Sequence, residues 1–225
     1  MWVRHTNQTN AHDGGRTTNA VIVANGEMQK RARLQEIWSR ADLRIAANGG
    51  ARNARLFLER APHVVVGDMD SVDDETRAWL ETSHCELIRH PRAKDETDLE
   101  LALSLAQERG ADEITILGAF GGRVDHFLGN VFLLTRARNL KIVDAASELW
   151  IGEGNQEIQG NLGNVVSLIP LSERVEGITT EHLEYPLTKE TLERGSTRGI
   201  SNVMLGEHAR VHWTRGTLLI VHSFE

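Results

Sequence analysis

The sequence predicts an α/β fold: a mostly parallel open sheet with flanking helices, followed by a small all-β sandwich domain. Two observations carry this. From position 20 to about 146, short apolar runs alternate with longer segments of helical periodicity, the signature of βα units and a parallel sheet. From about 147 to 225 the helical pattern gives way to short strand-like runs punctuated by Gly152, Gly154, Gly160, Gly163, Gly206 and Gly216. The expected organisation is a mobile extension over 1–19, an α/β catalytic domain over 20–146 and a β-sandwich over 147–225.

The elements follow in order. Residues 20–24 (AVIVA) are apolar and β-branched and end at Asn25-Gly26, so they read as a buried first strand and its turn. Leu34, Ile37 and Trp38 stand at helical spacing within 27–40. Strand two covers 43–47 and ends in Asn48-Gly49-Gly50, and a second helix covers 51–60. Strand three is expected at 63–66, a third helix at 73–82 and strand four at 86–89. The clearest helix spans 97–108: Thr97 and Glu100 have capping-box spacing, and Leu99, Ala102, Leu103 and Ala106 form one apolar face. Strand five at 113–117, a helix at 124–138 and strand six at 140–144 complete the layer. Beyond it, strands are expected at 148–151, 165–169, 210–213 and 217–222, with one or two helical turns at 188–194.

Bulk properties narrow the class. The 225 residues carry a net charge of -7, from 25 basic and 32 acidic side chains, with no Lys/Arg-rich block, which argues against a nucleic-acid partner. Cys85 is the only cysteine, so no intrachain disulfide forms, and a reducing compartment, the cytoplasm, is expected. No apolar stretch approaches the roughly 18–20 residues that cross a bilayer, so no membrane partner is expected. Residues 1–19 are rich in Asn, Thr, His and Gly and lack the apolar core of a secretory signal.

Three acidic clusters carry the chemistry: Gly67-Asp68-Met69-Asp70-Ser71, Lys94-Asp95-Glu96-Thr97-Asp98, and Gly121-Gly122-Arg123-Val124-Asp125-His126. Each follows an expected strand, and in an open parallel sheet the loops after the strands share one ligand-binding edge. Converging carboxylates repel by about 4 kcal/mol per pair at 4 Å in an effective dielectric near 20. Something positive must hold them, and oxygen ligands of this kind suit magnesium.

Each cluster also has a plainer account. Asp68 and Asp70, two apart, project to the same side of an extended chain; alternatively, Asp70 or Ser71 caps the next helix. Asp98 favours the positive end of a helix that Thr97 caps, and Lys94 meets a phosphate or pairs with its neighbours. The amides of the Gly118–Gly122 loop suit an anion, and Arg123 suits a phosphate through two parallel hydrogen bonds. The sequence contains no GxxxxGK[ST] loop, no GxGxxG after strand one, no GxSxG elbow and no HExxH pair. Cys85 reads as a small buried residue.

Taken in order, Asn48-Gly49-Gly50, the three acidic clusters and Asn130 resemble the thiamine pyrophosphokinase family. The resemblance continues through Gly177, Tyr185-Pro186-Leu187 and Gly199-Ile200-Ser201-Asn202, and so covers roughly 21–223. It implies transfer of the pyrophosphoryl group of ATP to the hydroxyl of thiamine, with release of AMP, by a homodimer whose thiamine site lies at the subunit interface. On this analogy Asp68, Asp70 and Asp98 would bind magnesium. Asp70, Asp98, Arg123 and Asp125 would carry catalysis, Arg123 and Asp125 positioning the phosphates and the attacking hydroxyl, with Asp125 or Asp98 as general base. Asn48, Gly49, Lys94, Asp95 and Thr97 would contact ATP, together with Gly121, Gly122, His126 and Asn130. Ser201 and Asn202, supplied by the partner subunit, would hold thiamine, with Trp213 the candidate for an aromatic wall.

There is one departure: many relatives carry Asp where this chain has Asn48, which removes a possible metal or ribose contact. Two other readings share these motifs, a pyrophosphokinase acting on another alcohol such as a hydroxymethylpterin, and a non-catalytic regulator that binds nucleotide or thiamine. Production of AMP and thiamine diphosphate from ATP, magnesium and thiamine separates the three.

Overall fold

Six short apolar runs become the parallel half of a sheet: β1 (Asn19–Val23), β2 (Leu43–Ala47), β3 (Val64–Gly67), β4 (Glu86–Arg89), β5 (Glu113–Leu117) and β6 (Leu140–Val143). This computed structural model describes residues 17–224, so most of the expected extension over 1–19 lies outside the described residues. Just before β1 the chain is already tied down, Thr18 N donating to the Asp112 carboxylate at 2.7 Å. Between the strands run α1 (Ala32–Arg40), α2 (Gly50–Asn53), α3 (Asp74–Thr82), α4 (Asp98–Glu108) and α5 (Val124–Leu133).

Both faces of this half are buried across its inner strands, with the period of two that a strand imposes. Val21, Val23, Ala46 and Val65 pack with Leu34 and Trp38 of α1 and Leu80 of α3. Ile22, Ile45, Val64 and Val66 point the other way, onto Leu99, Leu103 and Ala106 of α4 and Val131 of α5. Burying one such Leu, Ile or Val contributes about 1.5–3 kcal/mol, and helices on both faces supply that burial for the inner strands, while the edge strand β4 stays largely exposed.

The remaining strands are β7 (Ser147–Ile151), β8 (Asn155–Gln159), β9 (Val165–Pro170), β10 (Arg174–Glu181), β11 (Glu190–Glu193), β12 (Asn202–Val203), β13 (His208–His212) and β14 (Leu218–Ser223). One sheet of ten strands runs in the order β12-β9-β14-β7-β6-β5-β1-β2-β3-β4. Its β1 to β6 members are parallel, and from β6–β7 onward the pairing is antiparallel. A second, antiparallel sheet, β11-β10-β13-β8, packs against the β9–β14 region. Val166, Leu168, Leu218 and Ile220 from the large sheet meet Ile158, Val175, Ile178 and Val211 from the small one in a single sandwich core.

The fold class is as the sequence predicts, with local corrections. Residues 188–194 are not helical, because Glu190–Glu193 pair with β10 as β11. Helix α1 begins only at Ala32, since residues 27–31 run along the site edge first. The helix expected over 124–138 ends in a tight turn at Leu134–Arg136, where Ala137 is extended. Residues 54–58, expected to continue an α-helix, widen into a π-turn that Glu59 closes at φ 63°. Among the described residues, no helix is long and apolar enough to cross a membrane.

Candidate active site

The order of the sheet reverses between β1 and β5, and the carboxyl ends of β1, β2, β3 and β5 open there into one cleft of about 490 Å³. This is where an open parallel sheet binds ligands. At its floor the chains approach closely. Gly67 has φ 145°, and a Cβ there would lie 2.8 Å from the Asn48 Cβ and 3.0 Å from Asp98 Oδ1. Asn48 itself is left-handed at φ 46°, a conformation that Asn tolerates, and is 6% exposed. Its Nδ2 donates to Asp68 Oδ1 at 2.8 Å, Asp70 Oδ1 at 3.1 Å and Asp98 Oδ2 at 3.0 Å. Lys94 Nζ stands 2.8 Å from Asp98 Oδ1.

Asp68 and Asp70 meet for a different reason from strand alternation. Met69 between them is left-handed at φ 65° and 5% exposed, its side chain anchored in the core, so the turn and not an extended chain aims both carboxylates. Neither Asp70 nor Ser71 caps α3; Asp73 does, accepting from Thr76 N at 2.7 Å. Ser71 Oγ instead donates to Asp70 Oδ1 at 2.9 Å. The Asn48 amide first, then the Ser71 hydroxyl, hold the Asp70 carboxyl below the usual carboxylate range.

Asp98 is the first residue of α4, at the positive end of the helix dipole. Thr97 Oγ1 caps that helix by accepting from Glu100 N at 3.2 Å. The capping box stays half closed, because Glu100 pairs with Arg136.

The third loop is set by Gly121 at φ 81° and Gly122 at φ 68°. Gly122 N donates to Glu27 Oε1 at 3.3 Å, so an amide suited to an anion already faces a carboxylate. Arg123 grips Asp125 with two bonds, Nε donating at 3.1 Å, and this pulls the Asp125 carboxyl down to about 2. Asn130 holds the loop from behind, its Nδ2 donating to Ala119 O at 3.1 Å.

The structure thus brings most of the expected residues to one cleft: Asn48, Gly49, Asp68, Asp70, Thr97 and Asp98 on one side, and Gly121, Gly122, Arg123, His126 and Asn130 on the other. Lys94 reaches it through Asp98, Asp125 lies exposed beside it on Arg123, and Asp95 is exposed on the approach to α4. Sequence reasoning missed the Asn25-Gly26 wall, which Asn53 pins from below by donating to Ala24 O at 2.8 Å and Gly26 O at 2.9 Å. The available signal was its place directly after β1, at the switch point.

Ser201, Asn202 and Trp213 are elsewhere. β12 lies six strand spacings from β1, roughly 29 Å at 4.8 Å per strand. The Asn202 side chain is committed to its own neighbourhood. Its Oδ1 accepts from Tyr185 N at 3.0 Å, and its Nδ2 donates to Tyr185 O at 2.7 Å. Tyr185, whose backbone it thereby fixes, is 64% exposed. Trp213 is 3% exposed in the sandwich core, its indole N–H donating to Gly216 O at 3.1 Å. The aromatic side chain beside Ser201 and Asn202 is therefore Tyr185, within a motif already visible in the sequence. A larger cavity of about 580 Å³ beside Trp213 offers Glu153 as its one acidic side chain, tied to Arg138 at 3.0 Å.

Among the described residues, no three His, Cys, Asp or Glu side chains stand around an open metal position. The point on which Asp68, Asp70 and Asp98 converge holds the Asn48 amide. The donor set is nonetheless three hard carboxylates drawn to within 3.1 Å of one atom, and such oxygens fit magnesium.

Comparison with known proteins adds the following. Residues 34–143 match a family model described as thiamin pyrophosphokinase, catalytic domain, and residues 155–218 match thiamin pyrophosphokinase, vitamin B1 binding domain. The chain is 35% identical over 169 residues to thiamine pyrophosphokinase of Bacillus subtilis, covering 72% of this chain and 78% of that one. It is 29% identical over 219 residues to thiamine pyrophosphokinase 1 of Oryza sativa subsp. japonica, covering 85% and 82%. The crystal structure of the Bacillus subtilis protein superposes with a TM-score of 0.82 at 28% identity, covering 92% of this chain and 100% of that one.

Proposed function

The chain belongs to the thiamine pyrophosphokinase family, and from that premise we propose how its own residues perform the reaction. The enzyme transfers the pyrophosphoryl group of ATP to thiamine, giving thiamine diphosphate; the balance of atoms leaves AMP.

Asp68, Asp70 and Asp98 hold magnesium in this proposal, and the observation that carries it is their convergence on one point at the switch of the sheet. When bound, the ion supplies the positive charge that neutralises the phosphates. The amides of Gly121 and Gly122 and the guanidinium of Arg123 take the phosphates. For this, Glu27 leaves Gly122 and Arg123 leaves Asp125, two exchanges in which a carboxylate gives way to a phosphate. Asp125, released, accepts the proton of the attacking hydroxyl. Asp98, tied through one oxygen to Lys94 and through the other to Asn48, remains a ligand. Gly49, Thr97, His126 and Asn130 line the nucleotide, with Lys94 and Asp95 at its approach.

The acceptor end needs a second copy of the chain. Thiamine is far shorter than the roughly 29 Å between β12 and β1. Ser201, with Tyr185 ordered by Asn202, therefore serves a site on the partner, where the Tyr185 face suits the cationic thiazolium. The α5 stripe of Val124, Leu128 and Phe132, exposed at 72%, 52% and 59%, supplies an apolar surface beside Arg123 for that association. Division of labour between 20–146 and 147–225 follows: phosphates, metal and the α5 surface on the first, the acceptor wall that meets the partner's cleft on the second. Cys85 is half-buried, and burial pushes its thiol up to about 11, which makes it a poor nucleophile.

Asp70→Asn tests the metal assignment. It should abolish magnesium-dependent AMP release from ATP and thiamine while circular dichroism stays unchanged; near-normal turnover would refute it.

A further inference from the structure

Asn48 sits where a cation belongs. An amide NH2 has two hydrogens, yet three carboxylate oxygens lie within 2.8–3.1 Å of its nitrogen, so one hydrogen is shared. Its other end is poorly served: Asn48 Oδ1 is buried without a hydrogen-bond partner. A buried acceptor left unpaired is destabilising, and charge explains why the amide stays this way round. Turned over, Oδ1 would face three carboxylates. The backbone leaves little room to retreat, with Asn48 N donating to Val66 O at 2.8 Å and Asn48 O accepting from Ala51 N at 3.0 Å. Lys94 offsets charge only at Asp98 Oδ1.

We propose that Asn48 is a positioning residue: its neutral amide gathers three carboxylates from the first two acidic loops without a metal ion, so assembly of this part of the site does not depend on the metal. A carboxylate at this position would turn three attractive contacts into three repulsive ones and make assembly metal-dependent. The inference rests on the reading of Asp68, Asp70 and Asp98 as metal ligands. It concerns how the ligands are held together before the ion arrives, which that reading leaves open.

Asn48→Asp isolates the charge, since Asp matches Asn in shape and tolerates the same left-handed backbone. Thermal unfolding of the full chain is compared in chelator and in magnesium, and manganese(II) binding is titrated by electron paramagnetic resonance. In chelator, Asn48→Asp should lower Tm by about 3–6 °C, the scale of a lost buried anchor in a chain of this size. Magnesium should raise the variant's Tm by more than it raises that of the wild type. Manganese should bind the variant about tenfold more tightly, as an added carboxylate at contact distance requires.

Should Asn48→Asp fold only with magnesium present, that is the same result in stronger form. Asn48→Gly, which removes the amide without backbone strain, then supplies the chelator measurement, with a deficit that magnesium partly repairs. Equal stability of the wild type and Asn48→Asp in chelator, or deficits that magnesium leaves untouched, would mean Asn48 only packs and would overturn the inference. Failure of manganese to bind the wild type or either variant would remove the metal reading and the inference together.

Discussion

Asp125 and Arg123 show how much a single partner decides. Read from sequence, one is a base and the other a phosphate clamp; in the structure each occupies the other. A carboxyl held near 2 is a weak proton acceptor, so Asp125 gains basicity only when Arg123 turns away. Arg123→Gln should therefore let Asp125 titrate near an ordinary carboxyl, about 3.9. The shift is upward because the lost partner favoured the charged form. Carbon-13 NMR of the Asp125 carboxyl measures it directly, and a titration that stayed near 2 would transfer the effect to the His126 amide, its other donor. Both side chains lie in solvent, so folding stability should not follow the shift. Asn202 teaches the complementary lesson. Its residue type suggested contact with a substrate, whereas both of its polar atoms are spent on the Tyr185 backbone, and the exposed ring is what it presents.

Helix α4 was legible because cap, dipole and apolar face all agree in a short stretch, and strands β1, β3 and β5 because their runs are buried on both faces and largely apolar. Half-buried strands carried less signal. β11 holds Glu190, Thr191, Leu192 and Glu193 with only Leu192 buried, and its strand character comes from pairing with β10. The long β10 went unrecognised because its register shifts between Val175 and Ile178, interrupting the alternation. In the site, the acidic loops were legible by their order after strands. The Asn48 clamp and the Asn25 wall were not, because side-chain aim depends on which loops the sheet order makes neighbours. Thr97 lets one element be tested alone. Its hydroxyl caps α4 immediately before Asp98, so Thr97→Ala should cost about 1 kcal/mol in urea unfolding. A loss indistinguishable from zero would mean Asp98, at the same helix end, suffices to hold α4 in place.

At the scale of the whole molecule, sheet order separates the two surfaces that the proposed reaction joins. The acidic cleft lies at β1 to β5 and the Tyr185–Ser201 surface at the β12 edge of the same sheet, six spacings away. A rigid ten-stranded sheet does not bring its own edge to its own middle, so in the proposed reading the two surfaces work together between copies. In a two-fold dimer this makes two composite sites, each with a cleft from one subunit and an acceptor wall from the other. Asp70→Asn spoils the cleft of its own chain, and the double change Tyr185→Ala, Ser201→Ala spoils only the wall. In a heterodimer of the two, one site inherits both defects and the other inherits neither. Equal mixing after reversible dissociation yields half heterodimers, each with one intact site of two. Two preparations that are inactive alone should thus recover about a quarter of wild-type thiamine diphosphate production on mixing. Sites completed within one chain would recover nothing at any ratio, and the mixture would stay as inactive as its parts.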